Sequence, residues 1–271
     1  MSGSPLAWSS LGSPSAKKLP MRWPQPVTRD WAWGGSTGRG VRVCIVDSGI
    51  EFGHPRVGPV DSAHVAVVDE DGEVSVDTDE TGDVSGHGTA CAGIVRSLAP
   101  DCALHSMRVL GPEATGTGKA LLSGLEWAVE QGFDVINMSL STRRRQFADV
   151  LRDLADRAYF QRSLLVCSAH NLAVESFPWR FASVVSVGSH DRDDELAFDY
   201  NARPPVEFFG RGIDVEVAWT GGGSTVVSGN SFATPQLAGI AALILAKHPG
   251  LTPFEVKTIL YMTASNVKGA A

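Results

Sequence analysis

Positive charge is the minority in this 271-residue chain, with 23 Lys and Arg against 30 Asp and Glu and a formal net charge of −7. That balance argues against nucleic acid or an anionic membrane as the main partner. Long apolar runs are missing as well. The best, residues 240–246, falls far short of the roughly 20 residues that cross a bilayer. Cysteine is sparse, with only Cys44, Cys91, Cys102 and Cys167, and none stands in a CxxC or Cys/His metal spacing. The opening stretch, MSGSPLAWSSLGSPSAKK, lacks the basic n-region and apolar h-region of a secretory signal. With no export signal, the thiols are read as reduced and packed like small hydrophobes. The expected location is the cytoplasm.

What is present is a large core. Apolar residues make up 43% of the chain, enough for one large α/β domain. Residues 1–26 are rich in Ser, Pro and Gly and read as a flexible tail, which leaves 27–271 as the domain. Apolar strand-like runs at 41–46, 104–109, 134–140, 164–168 and 183–188 alternate with helix-period segments. Alternation at these lengths implies a central, mostly parallel sheet with helices on both faces, three layers in all. Between the first two runs lies an acidic insertion, about 56–84. Its alternating segments around Asp71-Gly72 predict a β-hairpin. Eight acids fall between Asp69 and Asp83. Their spacing is not that of an EF-hand loop, and a solvated hairpin is the expected reading.

Three short stretches carry chemistry. Gly229-Asn230-Ser231-Phe232-Ala233-Thr234-Pro235 precedes a helix that is apolar on every face, hence buried. Pro235 fits such a helix within its first turn or so. Ser231 therefore rides on the N-terminal end, where free backbone N–H groups bind an anion. Alone, Ser231 reads equally well as a helix cap. Val46-Asp47-Ser48-Gly49 puts a carboxylate at the end of a buried strand. Gly86-His87-Gly88-Thr89 puts a His at the start of a second helix. A carboxylate, an imidazole and a hydroxyl, each flanked by small residues, are the parts of an activated serine nucleophile.

In VDSG, HGT and GNSFATP, and in their order, the sequence resembles the subtilisin-like serine proteases, over nearly the whole chain from Trp31 to Thr263. The resemblance implies the subtilisin-like three-layer fold and a catalytic triad of Asp47, His87 and Ser231. It implies an oxyanion donor at Asn171, although His170 stands where the family usually has Gly. It further implies that an extended peptide substrate lies between Gly116, Thr117, Gly118 and Ser139, Leu140, Ser141, with Ser176 on the wall of the pocket nearest the scissile bond. The expected function is a serine endopeptidase working through an acyl-enzyme on a limited set of intracellular peptide or protein substrates. A peptide ligase or macrocyclase using the same acyl-enzyme, and an inactive peptide-binding scaffold, stay open. No cofactor and no metal are assigned. The loop after Leu98 is too short for the calcium site of many secreted relatives, while calcium elsewhere is not readable. A monomer is expected.

Overall fold

The computed structural model describes residues 23–267. Most of the expected tail lies outside them. Trp23 and Pro24 are half-buried, and the Trp23 ring lies 6.1 Å from Trp31. The packed domain thus begins a few residues before 27.

A nine-stranded sheet forms the middle layer. Its strands are β1 (Arg42–Asp47), β2 (Ser62–Val68), β3 (Val74–Thr78), β4 (Ala103–Arg108), β5 (Val135–Met138), β6 (Leu164–Ser168), β7 (Val185–His190), β8 (Asp199–Tyr200) and β9 (Phe208–Arg211). They lie in the order β3-β2-β4-β1-β5-β6-β7-β9-β8, parallel except for β3 and β8 at the two edges. A separate antiparallel pair, β10 (Val215–Trp219) and β11 (Gly223–Val227), leads back to the Ser231 stretch.

Side-chain alternation explains the layering. Val43 and Ile45 of β1, with Leu164 and Val166 of β6, enter one apolar cluster. Cys44, Val46, Leu165 and Cys167 enter the other. Both faces are buried, so the strands read as unbroken apolar runs. The second cluster is closed by α3 (Gly118–Glu130) and α4 (Ala148–Phe160). The first holds α1 (Arg29–Trp33), α2 (His87–Leu98), α5 (Asn230–Lys247) and α6 (Pro253–Thr263). The four cysteines are free and buried.

The hairpin at 62–78 is not a free insertion, because β2 pairs parallel with β4 and so extends the main sheet. Nor are all eight acids solvated. Asp79 is buried and grips Arg108 through two hydrogen bonds of 2.8 and 3.0 Å. Asp83 is half-buried at the foot of α2.

Candidate active site

β1, β5 and β6 are parallel neighbours, so their carboxyl ends reach the same edge of the sheet. Ligands bind at such an edge in α/β folds. β1 ends on Asp47, β5 runs into Ser139, Leu140 and Ser141, and β6 runs into Ala169, His170 and Asn171. The N-terminal ends of α2 and α5 bring His87 and Ser231 to it. His87, Ser139, Leu140, Ser141, Asn171 and Ser231 line one cleft there. Gly116, Thr117 and Gly118 are not in its lining. Thr117 instead caps α3 by accepting from the Ala120 N–H at 3.1 Å, and Gly118 lies against the Phe147 ring, where a side chain would not fit. Ser176 is fully buried behind Ser141.

Asp47 has no solvent exposure. Its Oδ1 accepts from the Ser48 N–H at 2.8 Å and lies 2.7 Å from His87 Nδ1. A buried carboxylate at that distance fixes the Nδ1–H tautomer and leaves Nε2 facing the cleft as an acceptor. Burial pushes the His87 pKa down. The charge of Asp47, its hydrogen bond, and the more distant charge of Asp83 push it up and prevail, so it lies above the ordinary imidazole value. Phe232 packs on the ring, with centroids 5.2 Å apart. No hydrogen bond joins His87 to Ser231 among the described residues. Such contacts are often long until substrate closes them.

Ser231 is the second residue of α5, whose N-cap is Gly229. Its backbone N–H is therefore one of the first-turn donors with no acceptor inside the helix. Pro235 sits in the second turn, not the first, and so cannot donate to the Ser231 carbonyl one turn back. The cost is recovered locally, because that carbonyl accepts from Ser139 Oγ at 2.8 Å and from the Cys91 thiol at 3.7 Å. The proline thus frees an acceptor that ties the Ser231 backbone to the end of β5.

Asn171 Oδ1 accepts from the Asn230 N–H at 2.9 Å. With its oxygen engaged, the amide must offer Nδ2 as a donor. The Asn230 side chain holds the same loop: it donates to the carbonyls of Ala169 and His170 and accepts from Ser189.

Sequence reasoning missed Asp83. Its carboxylate accepts from Ser48 Oγ, from the backbone N–H of Ser85, Gly86 and Thr89, and from Thr89 Oγ1. It locks the Asp47 turn to the first turn of α2. An acid just ahead of a helix start was the available signal, obscured by seven other acids nearby.

Asp47, His87 and Cys91 are the one trio of metal-ligand types within mutual reach among the described residues. The trio is already engaged: Asp47 holds His87, and burial, then the Asp47 charge, keeps the Cys91 thiol protonated. The acidic hairpin contributes no such group among the described residues.

The sequence profile of the subtilase family matches residues 38–271. This chain belongs to the subtilase family. Subtilisin DY of Bacillus licheniformis is 34% identical over 248 residues, covering 86% of each chain. Subtilisin E of Bacillus subtilis is 30% identical and covers 85% of this chain, which spans 62% of that protein's length. A solved cold-adapted subtilisin-like serine proteinase superposes with a TM-score of 0.68 at 26% identity, covering 88% of each chain. The protein is therefore a subtilisin-like serine peptidase, as the sequence motifs implied, and peptides or proteins are its substrates. Among the described residues, no helix of this subtilase is long and apolar enough to cross a membrane.

Proposed function

We propose that this subtilase cleaves internal peptide bonds with Ser231 as nucleophile, His87 as general base and Asp47 as the group that orients the imidazole. The observation that carries this is the buried Asp47 carboxylate 2.7 Å from His87 Nδ1, in a cleft that also holds Ser231. Ser231 Oγ attacks the scissile carbonyl while His87 Nε2 takes its proton. The resulting imidazolium sits against Asp47, and returns the proton to the leaving amine. Asn171 Nδ2 and the Ser231 N–H stabilise the oxyanion. Water then releases the acyl group from Ser231. The substrate strand lies along residues 139–141, with Gly116, Thr117 and Gly118 as its outer edge.

The proposal extends to selectivity: an intracellular processing peptidase with few substrates, and a preference for basic ones. Four free, buried thiols suit a reducing compartment. Ser141 borders the cleft with Ser176 buried behind it, bulk that narrows the proposed pocket nearest the scissile bond. The acidic hairpin turn is hooked to the first turn of α3, where Lys119 Nζ donates to the Gly72 carbonyl at 2.5 Å. This contact supports a position for Asp69, Glu70, Asp71 and Glu73 near the proposed outer edge of the substrate strand. Rim charges act mainly on encounter rate, so the preference weakens with salt. Digestion of a mixed peptide library at low and high salt tests this. Few cleavages, favouring basic peptides at low salt, are expected. Broad cleavage unchanged by salt overturns the selectivity reading.

A further inference from the structure

Behind the cleft, three side chains form a connected line. Trp179 Nε1 donates to Ser176 Oγ at 2.8 Å, and Ser176 Oγ lies 3.1 Å from Ser141 Oγ. Ser141 alone of the three lines the cleft beside Ser231. Ser176 is fully buried, and Trp179 is nearly so. The backbone around them is pinned, because Thr142 and Phe177 exchange both of their N–H···O bonds at 2.9 Å.

The direction of this line follows from proton accounting. An indole N–H can only donate, while a serine hydroxyl has one proton to give. If Ser141 donated to Ser176, the Ser176 oxygen would accept twice. Its own proton would then be left without an acceptor in a site closed to water, and an orphaned buried donor is costly. If Ser176 instead donates to Ser141, both buried groups are satisfied. The one proton left over is that of Ser141, the member of the line that borders the cleft.

We propose that Trp179, Ser176 and Ser141 form a directed hydrogen-bond chain that presents the Ser141 hydroxyl proton to the substrate, selecting a residue just N-terminal to the scissile bond whose side chain ends in a carbonyl or carboxylate oxygen. This rests on the reading of residues 139–141 as the substrate strand. Ser141 is the specificity-determining residue, and Ser176 and Trp179 are positioning residues. A Gln or Glu side chain supplies the acceptor. Met, of similar length and volume, supplies none and leaves the Ser141 donor unpaired when it displaces water. Discrimination by unpaired polar groups is more effective than discrimination by shape alone. Arg145 and Arg180, on the two segments that carry Ser141 and Ser176, are both engaged with Glu175.

The test uses three peptides that differ only at that position, with Gln, Glu or Met. kcat/KM is measured for the parent, Ser141→Ala and Trp179→Phe, and each protein is also titrated with a fluorophosphonate. In the parent, Gln and Glu should both exceed Met. The Gln-to-Met ratio should fall roughly five- to tenfold in Ser141→Ala, the worth of one hydrogen bond. It should also fall in Trp179→Phe, which keeps an aromatic ring but releases the direction of the chain. A merely structural role for Trp179 would lower all three rates and leave the ratio unchanged. A parent that labels but favours Met, or a ratio that survives Ser141→Ala, overturns the inference alone. A parent that does not label overturns the serine-nucleophile reading and this inference with it.

Discussion

At the scale of single residues, the site is governed by how two carboxylates act on one imidazole. Asp47 touches His87, and Asp83 acts from further away. Together they outweigh burial and hold the His87 pKa above its ordinary value. As the proposed base, His87 is active when neutral, so kcat/KM should rise with pH through an ionisation above the ordinary imidazole value. The charged imidazole also stabilises the fold. That contribution is complete below the unfolded-state pKa and is lost as pH rises through the raised folded value. Replacing Asp83 by Asn removes one raising charge, so the acid limb of the kcat/KM profile should move to lower pH. A limb that stays in place would show that Asp83 only shapes the loop. Ser139 and Cys91 illustrate a different residue-scale effect. They matter through a carbonyl that Pro235 cannot satisfy, which no pattern in the sequence announces.

At the scale of elements, the hairpin of β2 and β3 is joined to the sheet at its end by Asp79. This carboxylate is buried against Arg108 and also accepts from the Thr81 and Gly82 N–H groups. Burial raises its pKa, but Arg108 and those two donors outweigh burial and hold it below the usual carboxylate range. Its stabilisation is therefore present above the unfolded-state value and fades as pH falls through the lower folded one. Asp79→Asn leaves Arg108 without its counter-charge and should cost about 3 kcal/mol by denaturant unfolding at neutral pH, shrinking in acid. A loss under 1 kcal/mol at neutral pH, on the order of an exposed pair, would show that the contact is dispensable. The hairpin itself was legible in the alternation around Asp71-Gly72, as were the helices carrying His87 and Ser231. Its attachment was not, because a sheet edge is chosen by partners far away in sequence. Acids that look alike in a row divide into solvated ones and ones, such as Asp79 and Asp83, that hold elements together.

At the scale of the whole molecule, the parallel order of β1, β5 and β6 turns distant stretches of sequence into one site. The three signature stretches could be read because each needs small residues and a helix or strand end next to a reactive side chain. The chain from Trp179 to Ser141 could not, since it depends on a loop contact with no local period. The expectation that calcium matters less here than in secreted relatives, because the loop after Leu98 is short, also belongs at this scale. Melting temperature should be the same within about a degree in calcium and in chelator, whereas filling a site at one hundred times its Kd would add about 2.7 kcal/mol. A shift of many degrees would place a cation site on this chain after all. The central claim is that Ser231 is the nucleophile served by His87. Its most direct test is fluorophosphonate labelling followed by mass mapping of the adduct, alongside turnover of the same preparations. The account predicts one adduct, on Ser231, that disappears together with turnover in Ser231→Ala and forms far more slowly in His87→Ala. An adduct on another residue, or undiminished turnover in folded Ser231→Ala, would contradict it.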